Sequence, residues 1–350
     1  MTGIPDMRAM VITGYDRDLE LVRRPRPTPG PGLALVQVLT CGICFSDVKT
    51  ARGHMPYSAK LRLPHVAGHE ICGRIIALNG PAGVGVGDRV VLYHVWACRR
   101  CASCRRGDEQ LCLQPTAWMG FTEPGGFQEY LTVPIEYLLP IPDNIPDRMA
   151  PALTCAMGTA YRAVVTRGAL VAGEYAVVLG LGGVGIHAAL IAQAVGARTL
   201  GVEVSEAKVQ GALGAGVLMA TTSEAAAGRV REDTAGQGAD VVIETTGRPA
   251  FLETARRLCR PGGRVVCVGY LVDAQMSVSS DQLVLLEQSV LGVRYASRVD
   301  MEHVISIVAA GRVRPVVDSV LALTDVNEGL ARLESGNVIG RLVLDVAGAQ

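Results

Sequence analysis

The sequence predicts an α/β protein in two parts. One is β-rich, irregular and largely antiparallel; the other is a doubly wound parallel sheet. Three observations predict it. Short β-branched runs, residues 33–40 (LALVQVLT) and 89–96 (RVVLYHVW), alternate with turn clusters such as PTPGPG and GVGVGD. From about residue 157, strand-like runs alternate with Ala-rich helical runs, the pattern of a parallel sheet with crossover helices. Glycine is abundant, 41 of 350 residues, as many tight strand-to-helix turns require.

The β-rich part comes first. In the second part AVVLG, RTLGVEV, ADVVIETTG and GGRVVCVG read as successive strands separated by helices. After about Gly292 a helix, MEHVISIVAAG, leads to a last strand, GRLVLDVA, expected to fold back onto the first part. The length suffices for two cores.

Composition narrows the function. Lys plus Arg and Asp plus Glu are both 33, so the formal charge is zero. No basic excess points to nucleic acid. The N-terminal MTGIPDMRAMVITGY lacks the apolar core of a secretory signal, so a cytoplasmic location is expected, with thiols kept reduced. Residues 175–197 are apolar enough to imitate a membrane span, but Gly180, Gly182, Gly183 and Gly185 cluster inside the run. A buried strand, a glycine turn and a buried helix explain it better.

That turn is the first functional motif. VVLGLGGVG places Gly180-x-Gly182-x-x-Gly185, with Gly183 and Val184 between, after a strand and at the start of a helix. The first glycine permits the tight turn, the second lets backbone approach a pyrophosphate, and the third lets helix pack on strand. The helix N-terminus then offers free N–H groups to phosphate. Glu203 ends the next strand, where a carboxylate accepts from both ribose hydroxyls and repels a 2′-phosphate, so NAD is expected over NADP. Lys208 lies close enough in sequence to approach the same ribose.

Ten cysteines in a reducing compartment suggest metal. Cys98, Cys101, Cys104 and Cys112 follow C-x2-C-x2-C-x7-C, a pattern that supplies four thiolates to a tetrahedral zinc. A second, scattered set is Cys44, His69 and Cys155, with Glu70 beside the histidine. Such a set suits a catalytic zinc with three protein ligands and an open position; taken singly, each residue equally suits a packing role in the core.

Taken together, CGICFSD, GHE with Gly73, the four-cysteine lobe, LTCAMGTAY, GLGGVG, Glu203 with Lys208, RPGGRVV and GRLVLDV resemble the zinc-dependent medium-chain alcohol dehydrogenase family over nearly the whole chain. The resemblance implies a GroES-like catalytic domain (residues 1–156 and 295–350, with a structural zinc lobe at about 95–113) and a Rossmann domain (157–294), with the active site between them. It implies two zinc ions per chain. Cys44, His69 and Cys155 match the catalytic ligands, and Cys98, Cys101, Cys104 and Cys112 the structural ones. Glu70 matches a carboxylate near the metal, Ser46 the hydroxyl that meets the substrate oxygen, and Asp47 a carboxylate orienting His69. Thr159 falls against the nicotinamide, and Arg341 where an arginine approaches the cofactor. Phe45, Met55, His94 and Trp118 fall along the substrate site.

The implied reaction is reversible hydride transfer between a primary or secondary alcohol and NAD, giving an aldehyde or ketone, in a homodimer or homotetramer. Lys49 departs from the family: it stands where many members carry the histidine that ends the proton relay. It is expected to relay the proton, to recognise an anionic substrate group, or to be a solvated surface lysine. Two other readings stay open: a non-catalytic module that binds NAD and zinc, and a reductase of an anionic or unsaturated carbonyl compound.

Overall fold

The computed structural model describes residues 6–348. They form two compact units, 6–155 with Ser297–Ala309 and 317–348, and Ala156–Ala296 with Ala310–Val316.

In the first unit the strands run in the order Val317–Ala322, Arg341–Asp345, Leu33–Ile43, Glu70–Leu78, Arg89–Leu92 and Leu138–Pro140, with Tyr130–Pro134 also pairing with Leu33–Ile43. Apart from the parallel pair Val317–Ala322 and Arg341–Asp345, the ladders are antiparallel. The Leu33 strand runs past Thr40 because the C-terminal strand extends its ladder: Leu342 faces Ile43 and Leu344 faces Cys41. Residues 89–96 are not one strand. Arg89–Leu92 pairs with Glu70–Leu78, whereas Val95–Trp96 pairs with Ala117–Trp118. The chain changes partner at Tyr93 and His94, whose backbone groups pair with Tyr137 and Met119. Periodicity does not reveal such a switch, because both halves keep strand character.

The second unit holds six parallel strands in the order Met219–Thr222, Arg198–Glu203, Tyr175–Leu179, Ala239–Glu244, Cys259–Cys267 and Ser289–Gly292. This is the doubly wound order, with its switch point beside Tyr175–Leu179. Tyr175–Leu179 is buried throughout, and Val177, Leu179, Leu200, Val242 and Val265 anchor the core. Residues 175–197 resolve into this strand and the helix Gly185–Val195. Among the described residues no helix is long and apolar enough to cross a membrane.

Candidate active site and structural metal centre

The candidate active site begins at the end of the strand Leu33–Ile43. Cys44 follows in extended conformation and caps the helix Phe45–Ala51. Asp47, in the first turn, turns back: its Oδ2 accepts the Cys44 backbone N–H at 2.8 Å. Its Oδ1 accepts from the Gly68 backbone N–H and from His69 Nδ1, each at 3.2 Å. One carboxylate thus fixes the cap and the loop that carries His69, and leaves His69 Nε2 for a metal. Cys155 lies in a π-helical turn, Leu153–Met157, that continues the helix from Ala150. A π turn re-aims the side chain on it, a common device at functional sites.

These elements bring ligand atoms of Cys44, His69, Glu70 and Cys155 within 4.8 Å of one another. Three of the four residues are buried and Cys155 is half-buried. The hydrogen bond from Cys155 pushes the Cys44 thiol well down against the cost of burial, and the same bond together with burial pushes Cys155 well up. Burial opposes charge on His69, but Asp47 and Cys44 outweigh it and raise the imidazole. Burial lifts Glu70 to about 8, with Arg341 opposing. Arg341 Nε lies 3.0 Å from Glu70 Oε2, and its Nη1 donates to the Ile43 carbonyl at 3.3 Å. The alignment of the Glu70–Arg341 pair makes no hydrogen bond, and both Glu70 oxygens and Arg341 Nε and Nη2 are buried without a hydrogen-bond partner. Two thiols, an oriented imidazole and an unsatisfied carboxylate form a borderline-soft donor set suited to zinc.

Ser46 is half-buried in the first turn of the same helix, next to Cys44. Lys49 is in its last turn, with Nζ 5.8 Å from the centre of the Phe45 ring. Burial lowers its ammonium below the usual value, and Cys44 opposes. Of the expected lining residues, His94 and Met55 are buried and Phe45 is exposed. His94 meets the His69 ring edge-on at 5.1 Å, and Trp118 lies 6.2 Å from His94. Phe121 had no signal in the sequence, yet its ring packs on His69 at 4.7 Å.

The lobe also converges. Ligand atoms of Cys98, Cys101, Cys104 and Cys112 lie within 4.8 Å of one another. Cys101 and Cys104 sulfurs are 3.5 Å apart, and Cys98 and Cys104 sulfurs 4.0 Å. A tetrahedron with Zn–S of about 2.3 Å has edges of about 3.8 Å. Backbone N–H groups support the thiolates. Those of Cys104 and Leu113 bring Cys101 down to about 6, and that of Arg100 leads in lowering Cys98. Burial holds Cys104 up at about 12. Two of the four lobe arginines engage carboxylates: Arg99 pairs with Glu136 at 3.5 Å and Arg106 with Asp108 at 3.9 Å.

In the second unit the glycine turn has the shape a dinucleotide needs. Gly180 has φ +84°, and a Cβ on Gly185 would stand 1.8 Å from the Gly180 carbonyl oxygen. Gly182 is exposed and a Cβ there meets nothing within 4 Å, so space is open where a pyrophosphate would approach. Val184 precedes the helix Gly185–Val195. Glu203 Oε1 accepts the Leu181 N–H at 2.7 Å and its Oε2 the Val204 N–H at 3.0 Å, which ties the carboxylate to the turn. Lys208 Nζ lies 3.8 Å from Glu203 Oε2. Thr159 is buried in the helix Gly158–Tyr161. Thr245, which no motif singled out, donates from Oγ1 to the Leu179 and Gly180 carbonyls at 2.9 and 2.8 Å.

Residues 30–143 match the family described as alcohol dehydrogenase GroES-like domain, and residues 183–310 the family described as zinc-binding dehydrogenase. An alcohol dehydrogenase of Geobacillus stearothermophilus is 34% identical, over 97% of this chain and 98% of the relative. An acryloyl-coenzyme A reductase of Metallosphaera sedula is 30% identical, over 97% of this chain and 99% of the relative. Among solved structures, an NAD-dependent alcohol dehydrogenase superposes with a TM-score of 0.89 at 30% identity, over 97% of this chain and 100% of that one.

Proposed function

The chain belongs to the zinc-dependent medium-chain dehydrogenase/reductase family and is an oxidoreductase, and we propose that it catalyses reversible hydride transfer between a primary or secondary alcohol and NAD, giving an aldehyde or ketone and NADH. The observation that carries this reading is the convergence of the Cys44, His69, Glu70 and Cys155 ligand atoms within 4.8 Å. A non-catalytic module would have no need of that set.

When bound at Cys44, His69 and Cys155, zinc supplies Lewis acidity toward a hydroxyl or carbonyl oxygen, and NAD at the glycine turn is the hydride carrier. The remaining work falls to the chain. Asp47 holds the His69 ring by Nδ1 and the Cys44 backbone by its N–H. Ser46 Oγ accepts the hydroxyl proton of the alcohol as it gives up its own outward, and Lys49 Nζ, as the neutral amine, takes that proton on toward solvent or, as the ammonium, holds an anionic group of the substrate. Glu70 is the carboxyl group beside the metal site, and Arg341, 3.0 Å from it, is the arginine that approaches the cofactor. Thr159 lines the nicotinamide. Gly180, Gly182, Gly183, Val184 and Gly185 shape the pyrophosphate cradle. Glu203, with Lys208 beside it, takes the ribose hydroxyls and favours NAD over NADP.

Cys98, Cys101, Cys104 and Cys112 hold a second, structural zinc, giving two per chain. Thiolates at both centres suit a reducing cytoplasm. The partner is a small alcohol or carbonyl compound rather than nucleic acid or a membrane. Ser289–Gly292 is an edge strand, and the nearby Val284 and Leu285 are exposed, which supports a homodimer or homotetramer joined sheet to sheet.

The test is an NAD(H)-coupled screen of primary, secondary, cyclic and anionic alcohols, with Cys44→Ala as control and zinc counted per chain. A second reading, reduction of an unsaturated or anionic carbonyl compound, is favoured by Lys49 at the relay position and by the acryloyl-coenzyme A reductase among the relatives. Turnover of an enoyl thioester with no turnover of any alcohol would select it.

A further inference from the structure

His187 is a polar residue where the local sequence asks for none. It lies in the first turn of the helix Gly185–Val195 and is fully buried. Its neighbours Ile186, Ala188, Ala189, Ile191 and Ala192 are buried and apolar. An imidazole in that setting is costly unless its nitrogens find partners, and both do. Nδ1 lies 2.6 Å from the Gly183 carbonyl oxygen, and Nε2 lies 2.9 Å from the Val316 backbone nitrogen. A carbonyl only accepts and an amide N–H only donates. The pair therefore fixes the tautomer: Nδ1–H donates to Gly183, and bare Nε2 accepts from Val316.

The two partners matter more than the satisfaction. Gly183 belongs to the glycine turn. Val316 is the last residue of the second unit before the chain enters the first at Val317. Val317 opens the strand that pairs with Arg341–Asp345, and its register partner is Arg341. The other anchors of the turn lie elsewhere along it: the Gly180 N–H donates to the Val202 carbonyl, the Leu181 N–H to Glu203, and Thr245 Oγ1 to the Gly180 carbonyl. Gly183 is anchored from the helix side by His187. Gly182, whose carbonyl accepts the Ile186 N–H at 3.0 Å, keeps its outer face open to a ligand.

We propose that His187 is a positioning residue for cofactor binding, which clamps the Gly183 corner of the dinucleotide turn to the chain segment ending at Val316. The proposal rests on the reading of that turn as the cofactor site. It assigns His187 no contact with cofactor or substrate. The imidazole acts through the Gly183 carbonyl, by holding the 182–184 peptides in the orientation that meets phosphate.

The experiment uses the zinc-loaded full-length enzyme and measures NADH affinity by fluorescence titration, with steady-state kinetics on whichever alcohol the screen finds. His187→Leu removes both contacts at similar bulk. The expected result is a dissociation constant and a cofactor KM raised about tenfold, the range for two lost hydrogen bonds, with kcat at saturating cofactor within about twofold and zinc content unchanged. His187→Asn places an amide N–H near the Nδ1 position and is expected to recover most of the affinity. A KM effect with that rescue separates positioning from a general loss of packing. A folded Leu variant with wild-type affinity overturns the proposal, as does an Asn variant no better than Leu. Where the Leu variant fails to fold, His187→Gln replaces it: Gln offers an acceptor to Val316 and no donor at Gly183, so wild-type affinity in Gln overturns the proposal. Wild-type enzyme that binds no NADH overturns instead the reading of the turn on which this one rests.

Discussion

Asp47 and His69 face each other at 3.2 Å through Oδ1 and Nδ1, both buried, and the second oxygen of Asp47 holds the backbone of Cys44. One side chain therefore sets the position of two proposed ligands that lie on different elements. Replacing Asp47 with Asn keeps the shape but weakens the acceptor to His69. Metal affinity at this site is expected to fall about 10- to 100-fold, as for other partners behind a ligating histidine. Competition with a chelator should then remove one of the two proposed zinc ions, and activity should follow that ion. Equal retention of both ions in Asp47→Asn would falsify the orienting role.

In the proposed reading Glu203 sets cofactor choice, but not alone. A like charge near a carboxylate at a protein surface costs on the order of 4 kcal/mol at close range. Lys208, 3.8 Å away, offsets part of that. Glu203 also accepts from the Leu181 N–H, so deleting it would disturb the turn as well. Glu203→Gln keeps an acceptor and drops the charge. The ratio of kcat/KM for NAD over NADP should fall about tenfold or more in this variant, mainly through NADP. A ratio that does not move would place the discrimination elsewhere.

The lobe arginines are weaker contributors than their number suggests. Four thiolates on one zinc leave a formal double negative charge. The thiolates draw on backbone N–H groups of Arg100, Cys101, Cys104 and Leu113. Arg99 and Arg106 are largely exposed and paired with carboxylates. Their effect on the sulfurs is therefore long-range and screened by salt. Replacing Arg99, Arg100, Arg105 and Arg106 with Gln should speed zinc release to a chelator about two- to fivefold at low ionic strength, with the difference vanishing near 1 M salt. Release rates unchanged at low salt would leave the offset to the backbone alone.

Much of this site is legible in the sequence because its chemistry is local. Gly180 and Gly185 must be glycine for reasons of turn and contact that the motif already encodes. The four lobe cysteines lie within one short loop, so spacing alone brings them together. Cys44, His69 and Cys155 are different. Each type is legible, but only the ladder of Leu33–Ile43 with Glu70–Leu78 and the π turn at Leu153–Met157 gather them. Phe121 on His69 and Thr245 under Gly180 are long-range contacts without a local signature. His187 did carry a signal: a histidine inside an apolar helix must find partners for both nitrogens.

Lys49 has its ammonium lowered by burial below the usual 10.5, with Cys44 opposing. Between its folded and unfolded values the unfolded chain binds more protons, so stability rises with pH across that window. Below the folded value the buried charge destabilises in full, and near pH 10.5 the cost is gone. Lys49→Met should therefore raise the melting temperature at pH 7, with the gain shrinking as pH approaches 10.5. The same amine, acting as the outer end of the relay, must be neutral to accept a proton from Ser46. Alcohol oxidation should then rise through a limb below pH 10.5 that Lys49→Met lacks. Superimposable pH–rate profiles remove the relay role. If KM for a carboxylated alcohol then rises selectively over its neutral analogue in Lys49→Met, the lysine reads substrate charge; if neither moves, it serves neither role.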